Sequence, residues 1–437
     1  MKVYLDTIGC RLNQAEIESY ARQLHTAGHE LVASSHEADW VIVNTCAVTS
    51  AAASDSRAKI RQAARSEHAQ IVVTGCWSNL QPEQAAGLPG VRHVVPNLLK
   101  DRLVSNLFGQ PQEPFDLEPV ARTPVPGARL RTRAFIKVQD GCDNRCTFCV
   151  TTLARGAGRS RSIPEILSDV RAALQPGEGQ AREIVLTGVH LGSWGHDFDA
   201  PAHLRDLIKS ILAETETPRL RLSSLEPWDL DEAFFELWAD PRVCRHLHLP
   251  LQSGSACTLR RMARKTTPAS YASLLAAARR AIPDIAITTD IITGFPGESE
   301  AEFSESLKFV ETMQFSGGHV FTYSARPGTA AARMPAQVAH SLRKERNAQI
   351  RAVLESASRR YQVSFLGQVL PVLWESATAL DDNGWSLTGL TDNYLRVQAY
   401  APQHLWNEIS PVRLIAPNNE GLRGQLMGAA QDGCSYL

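Results

Sequence analysis

The stretch AFIKVQDGCDNRCTFC, residues 134–149, decides how the rest of the chain is read. It opens as a strand, AFIKVQ (134–139), and passes at Gly141 into a loop bearing Cys142, Cys146 and Cys149 in C-x3-C-x2-C spacing. Thiolates are the ligands of iron–sulfur clusters, and three of them can hold three irons of a cubane while the fourth iron stays open. No fourth Cys or His lies nearby at zinc-knuckle spacing, which argues against a structural zinc. A chemistry-bearing loop directly after a strand belongs at the C-terminal mouth of a parallel barrel.

Downstream, strand patterns recur at EIVLTG (183–188), RLRLSS (219–224), HLHLPL (246–251), IAITTDII (285–292) and HVFTY (319–323), with helical patterns between most of them. Six βα units predict an incomplete parallel barrel, since a full eight needs about 250 residues. Upstream, KVYLDTI (2–8), ADWVIVNTC (38–46), QIVVTGC (70–76) and VRHVVP (91–96) alternate with helical stretches and predict a Rossmann-like parallel sheet. Between them, residues 109–130 hold Pro111, Pro114, Pro119, Pro124 and Pro126 and read as a linker. Residues 341–362 read as one long amphipathic helix, and after Phe365 short alternating runs separated by Gly, Asn and Asp predict a small all-β domain. The expected division is 1–108, linker 109–130, 131–362 and 363–430.

Composition fits this reading: 437 residues, 43% hydrophobic and 21% charged, with a formal net charge of −1. The chain as a whole is no polycation, so contact with nucleic acid must come from local patches. No stretch has the pattern of a signal peptide or membrane span, and nine cysteines without an export signal point to metal or redox chemistry in a cytoplasmic protein.

An open iron can chelate the amino and carboxylate groups of S-adenosylmethionine (SAM) and pass it an electron, which yields a 5′-deoxyadenosyl radical. A second set, Cys10, Cys46 and Cys76, ends three strands of the first domain. Strand C-termini of a parallel sheet share one edge, so the three could converge on a second cluster; buried strand-end thiols are the alternative. Cys244, Cys257 and Cys434 show no such pattern and read as ordinary thiols. His246 and His248 share one strand face and either line the barrel or pack in it. Between 121 and 161, Arg122, Arg129, Arg131, Arg133, Lys137, Arg145, Arg155, Arg159 and Arg161 face only Asp140 and Asp143, which predicts either a solvated face or a phosphate-attracting rim.

The sequence resembles the radical SAM methylthiotransferase family over nearly its whole length. TIGCRLNQAE (7–16), NTCAVT (44–49) and VVTGC (72–76) are similar to the family's N-terminal cysteine segments, and GCDNRCTFC with RGAGRSRS (155–162) to its radical SAM loop. LTGVHLGSWG (186–195), RLSSLEP (221–227), HLHLPLQSGS (246–255), DIITGFPGE (290–298) and FTYSARPGT (321–329) resemble its barrel motifs. GLTDNYLRV (389–397) resembles a TRAM domain, a small RNA-binding barrel. In one departure, Val150-Thr151-Thr152 stands where the family commonly has Ile-Pro, and loss of the proline predicts a looser loop.

The resemblance implies insertion of sulfur and methyl at an unreactive C–H bond. Cys142, Cys146 and Cys149 would hold the SAM-cleaving [4Fe–4S] cluster, and Cys10, Cys46 and Cys76 an auxiliary [4Fe–4S] cluster that carries the sulfur. Gly188 would lie near the SAM amino group and Glu226 near its ribose. TIGCRLNQAEIE most resembles the branch acting on N6-threonylcarbamoyladenosine beside the anticodon of tRNA. Isopentenyladenosine or a ribosomal-protein aspartate are alternative substrates, and a non-catalytic iron–sulfur RNA-binding protein is a distant one. Expected partners are a tRNA anticodon stem-loop, a low-potential electron donor and a sulfur donor, with no membrane. Arg155, Arg159 and Arg161, just past the cluster loop, are candidate partners for the substrate carboxylate. The tail beyond about residue 365 is expected to add RNA affinity without entering the radical chemistry.

Overall fold

The structure, a computed structural model, describes residues 1–66, 68–109, 131–177, 179–381 and 384–427. The five linker prolines, Arg122, Arg129 and Cys434 lie outside the described residues.

The first domain is a parallel sheet of β1 (Lys2–Thr7), β2 (Glu30–Leu31), β3 (Trp40–Thr45), β4 (Gln70–Gly75) and β5 (Val91–Val94), in the order β2-β1-β3-β4-β5. The β-branched runs of β3 and β4 suit strands covered on both faces. Alternation then sends Ile42 and Val72 toward the helix Arg11–Thr26, while Val41, Val43, Ile71 and Val73 enter a separate core on the other face. β2 was not expected, because two residues carry no readable period.

The central domain has β6 (Arg133–Lys137), β7 (Gln139–Asp140), β8 (Arg159–Ser160), β9 (Glu183–Thr187), β10 (Leu220–Leu222), β11 (His246–His248), β12 (Ala286–Thr293) and β13 (Gly317–Thr322). Two parallel sheets, β10-β9-β6 and β11-β12-β13, are joined by a bridge between Ser224 and His248. The six long-range strands thus follow one another as a partial (β/α)6 barrel. β7 and β8 pair antiparallel and clamp the two ends of the cysteine loop. The helix His340–Val363 lays Ile350, Leu354 and Ala357 into the interior.

The last five strands, β14 (Val369–Asp381), β15 (Gly384–Thr391), β16 (Arg396–Ala401), β17 (Ile409–Asn418) and β18 (Gly421–Leu426), close a barrel in the order β14-β15-β16-β18-β17 around Trp374, Val397, Val412 and Leu414. This barrel is not a detached tail. Its 391–396 turn docks on the central domain: Arg221 donates to the carbonyls of Thr391 and Asp392, and Arg245 pairs with the Asp392 carboxylate at 2.7 Å. Arg219 donates to Leu390 and Pro371 carbonyls.

Candidate active site: two cysteine sets and the cavity between domains

Cys10, Cys46 and Cys76, far apart in sequence, line one cavity of about 850 Å³. Parallel strands deliver each of them to the same sheet edge: Thr7, Thr45 and Gly75 end β1, β3 and β4. Gly9 makes the approach possible. Its φ is +109°, and a Cβ there would sit 2.6 Å from Cys46 Cβ and 2.7 Å from Cys46 Sγ. The Cys46 thiol is pushed up to about 11 by burial, with the neighbouring Cys10 and Cys76 thiols adding to it. A thiol so raised is protonated at neutral pH, so iron binding at Cys46 releases a proton.

Cys142, Cys146 and Cys149 are half-buried on the clamped loop. The backbone N–H of Asn144 meets Cys142 Sγ and that of Thr151 meets Cys149 Sγ, each at 3.4 Å. Arg264 reaches Cys146 Sγ at 3.7 Å. N–H groups aimed at sulfur suit thiolates bound to a cluster, whose potential such bonds tune. Gly141, at φ +73°, turns the chain into the loop so closely that a Cβ would lie 1.9 Å from the Ala157 carbonyl oxygen. Among the described residues no three His, Cys, Asp or Glu groups converge as ligands of a single ion would. A cubane differs, since each thiolate takes its own iron at a separate corner, a demand that three cysteines on one loop or on one sheet edge can meet. At the departure from the family pattern, Thr152 Oγ1 donates to the Asn144 carbonyl at 3.3 Å, tying across the loop that lost its proline.

Gly188 lines the cavity directly after β9, against Gln139. Glu226 is held by both Arg264 Nη atoms, at 3.1 and 2.5 Å, beside Cys146, with the Arg264 guanidinium over the Trp228 ring. The sequence reading missed Arg264, which lies in a stretch of unremarkable basic residues. Asn144 also meets His190, which bonds Asp229 at 2.6 Å. Burial opposes the His190 charge, yet Asp229 and Cys142 push its pKa up to about 10.

The arginine expectations need correction. Arg155 is 2% exposed; Nη1 meets Glu16 Oε1 at 3.1 Å and Asp140 Oδ1 at 2.8 Å, and Nη2 meets Asn13 Oδ1 at 2.8 Å. A guanidinium so occupied has no fork left for a substrate carboxylate. Arg161 is occupied by Asp169 and the Lys137 carbonyl. Arg159, whose side chain is 37% exposed and 3.8 Å from Asp140, stays accessible. The basic rim shrinks for the same reason. Arg133, Lys137, Arg155 and Arg161 find Glu375, Asp101, Glu16 and Asp169, all outside the 121–161 stretch, which a local charge count cannot register.

Arg155 belongs to a buried network joining the first two domains. Lys100 pairs with Glu16 at 2.5 Å, and Lys137 and Asp140 complete it from the central domain. Asn13 ties the network to the cysteine turn by donating to the carbonyls of Ile8 and Thr45. Against the cost of burial, Lys100, Arg155 and Lys137 hold the Glu16 carboxyl down at about 2. Glu16 and Asn13 had a sequence signature: they occupy the inner face of a helix alongside Leu12, Ile17, Tyr20 and Leu24.

The comparisons agree with this architecture. Residues 2–95 match the model described as "Uncharacterized protein family UPF0004", and residues 136–310 match the "Radical SAM superfamily". A radical SAM methyltransferase from Kitasatospora setae, TsrM, shares the fold with a TM-score of 0.58 at 16% identity, over 76% of this chain and 75% of that one. Fold and site together define a radical SAM enzyme, a class that works with SAM and a [4Fe–4S] cluster. Among relatives, "Threonylcarbamoyladenosine tRNA methylthiotransferase MtaB" of Bacillus subtilis (strain 168) is 34% identical over 96% of this chain and 95% of its own. The protein of that name from Thermotoga maritima is 38% identical over 85% of this chain and 86% of its own. "tRNA-2-methylthio-N(6)-dimethylallyladenosine synthase" of Acetivibrio thermocellus is 31% identical over 98% and 91%. The chain belongs to the radical SAM methylthiotransferase family, in the branch that contains the MtaB proteins. Among the described residues no helix is long and apolar enough to cross a membrane.

Proposed function

We propose that this protein converts N6-threonylcarbamoyladenosine next to the anticodon of a tRNA to its 2-methylthio derivative, in the cytoplasm. Cys142, Cys146 and Cys149 hold the cluster that binds SAM, with Gly188 and Glu226 on the SAM side. Cys10, Cys46 and Cys76 hold the auxiliary cluster. When bound, the two clusters and SAM supply a 5′-deoxyadenosyl radical, the inserted sulfur and its methyl group. One observation carries the reading: the cavity lined by Cys10, Cys46 and Cys76 extends to Thr151, whose N–H meets Cys149 Sγ, and to Gly188. A target carbon in that cavity has both chemistries within reach.

The protein's own residues orient and enclose. The Arg155–Glu16 network fixes the first domain on the barrel, and the clamp of β7 and β8 fixes the loop. Arg264 donates to Cys146 Sγ and sets the Glu226 carboxylate beside it. A base in an anticodon loop can be splayed into such a cavity far more readily than one in a duplex. An outside low-potential electron donor and a sulfur donor complete the cycle.

The test is nucleoside mass spectrometry after incubating the reconstituted protein, SAM and reductant with tRNA carrying threonylcarbamoyladenosine or isopentenyladenosine. The expected product is the 2-methylthio form of the first alone. Modification of isopentenyladenosine alone overturns the substrate and leaves the enzyme class standing.

A further inference from the structure

The inner wall of the barrel carries polar groups that the radical chemistry does not use. His246 Nε2 and His248 Nδ1 both meet Thr288 Oγ1, at 3.0 and 2.9 Å, and His248 Nε2 lies 3.3 Å from Asp290 Oδ2. These residues line the same cavity as the three first-domain cysteines, together with Ser223 and Arg11. Three of their buried atoms have no hydrogen-bond partner: Ser223 Oγ, His246 Nδ1 and Asp290 Oδ1. Ser223 is 5% exposed and His246 1% exposed. Buried polar atoms left unpaired are costly, so this wall favours a polar occupant over hydrocarbon.

The proton pattern says what kind of group. With His248 in its neutral form and its Nε2 proton toward Asp290 Oδ2, 3.3 Å away, His248 Nδ1 accepts from the Thr288 hydroxyl. That hydroxyl has one proton, so His246 Nε2 donates to it and His246 Nδ1 is left as a bare acceptor. Asp290 Oδ1 is a second acceptor, and Ser223 can donate or accept. The wall therefore asks for hydroxyl and N–H donors. Arg11 lines the same cavity and donates to the Tyr394 hydroxyl at 3.0 Å.

Resting on the tRNA-adenosine reading above, we propose that Ser223, His246, Asp290 and Arg11 form a subsite for a polar, carboxylate-bearing substituent on N6 of the target adenosine. The hydroxyl and N–H groups of the substituent satisfy Asp290, His246 and Ser223, and its carboxylate pairs with Arg11. An isopentenyl group in the same place would bury three polar atoms against hydrocarbon and offer them nothing. A site built for hydrogen bonds rejects an analogue that lacks them far more strongly than an apolar pocket rejects a wrong shape. The substrate choice is thus made inside the barrel, not at the arginines beyond the cluster loop.

The test measures binding of synthetic anticodon stem-loops to the anaerobically reconstituted full-length protein. The loops carry threonylcarbamoyl, glycylcarbamoyl, threonylcarbamoyl methyl ester, isopentenyl or no group on N6. Wild type should bind the threonylcarbamoyl loop at least about tenfold more tightly than the isopentenyl loop, as expected for one buried bond gained. The glycylcarbamoyl and ester loops should each lose part of that preference. Ser223→Ala and Asp290→Asn should shrink the preference about tenfold, and Arg11→Gln should erase the distinction between acid and ester. A preference unchanged in all three folded variants, or equal wild-type binding of acid, ester and glycyl forms, overturns the subsite while leaving the substrate reading intact. Because the wild-type series needs no variant to fold, failure of a variant cannot rescue the idea. Preference of wild type for the isopentenyl loop overturns the substrate reading itself, and the subsite with it.

Discussion

Arg155 shows how a residue can look like a ligand binder and act as a tie. Deleting one member of a buried ion network leaves its partners charged and unpaired, which typically costs about 3–5 kcal/mol. Arg155→Ala should therefore lower the denaturation midpoint markedly, with Lys100 and Lys137 left as the buried cations beside Glu16 and Asp140. Chemical denaturation of the variant and of wild type checks this; a variant as stable as wild type with a specific loss of substrate affinity would restore Arg155 as a binder. The same network sets an acid limit. Glu16 is held at about 2 in the folded protein, below its ordinary 4.5. Its stabilising contribution is complete above the unfolded value and is lost as pH falls from about 4.5 toward 2. Glu16→Gln should flatten the fall in stability over that window, read as denaturation midpoint against pH. Gly9 gives a sharper case. Gly9→Ala places a methyl against Cys46, whereas Gly28→Ala, also at positive φ (+75° against +109°), has nothing within 4 Å. Reconstituted Gly9→Ala should lose about half its iron and Gly28→Ala should keep it.

At the scale of elements, the two cysteine sets should fail separately. Replacing Cys142, Cys146 and Cys149 with Ala should halve iron content and abolish SAM cleavage. Replacing Cys10, Cys46 and Cys76 should also halve it yet leave unproductive SAM cleavage, since the clamped loop between β7 and β8 stands without them. Iron analysis and 5′-deoxyadenosine release read both. The placement of Cys10, Cys46 and Cys76 at one sheet edge was legible in the sequence, because each follows closely on a strand and strand ends are local signals. The six barrel strands were legible for the same reason: each is a short apolar or alternating run of its own. What stayed hidden were pairings between distant segments. Glu16 with Arg155, Arg264 with Glu226, and Arg221 with the 391–396 turn leave no trace in local periodicity. The count of cations from 121 to 161 misled because it could not see carboxylates arriving from Glu16, Asp101, Asp169 and Glu375.

For the whole molecule, the closed C-terminal barrel is part of the wall of the cavity between domains. Asn393, Tyr394 and Arg396 line the cavity, the Tyr394 ring stacks on His246 at 4.2 Å, and Arg221 lies over it. Removing residues after 365 would strip Arg221 and Arg219 of their carbonyl partners and open the cavity from below. Truncation should thus impair SAM cleavage as well as RNA binding, contrary to the independent tail the sequence suggested. Exposed Arg413 and Arg423 separate the two roles. Their replacement by Ser should weaken tRNA binding and reduce the salt slope by about one for each phosphate no longer neutralised, with SAM cleavage unchanged.

The charge network between the first domain and the barrel also has a mechanical meaning. Glu16, Lys100, Arg155, Asp140 and Lys137 are all largely dry, so separating the two domains would break the pairs of Arg155 with Glu16 and of Lys137 with Asp101 and wet the rest. The catalyst is a fixed jig rather than a jaw. On the tRNA reading proposed above, the work of bringing a base to it then falls on the RNA, and turnover should follow how readily that base unstacks rather than any opening of the protein.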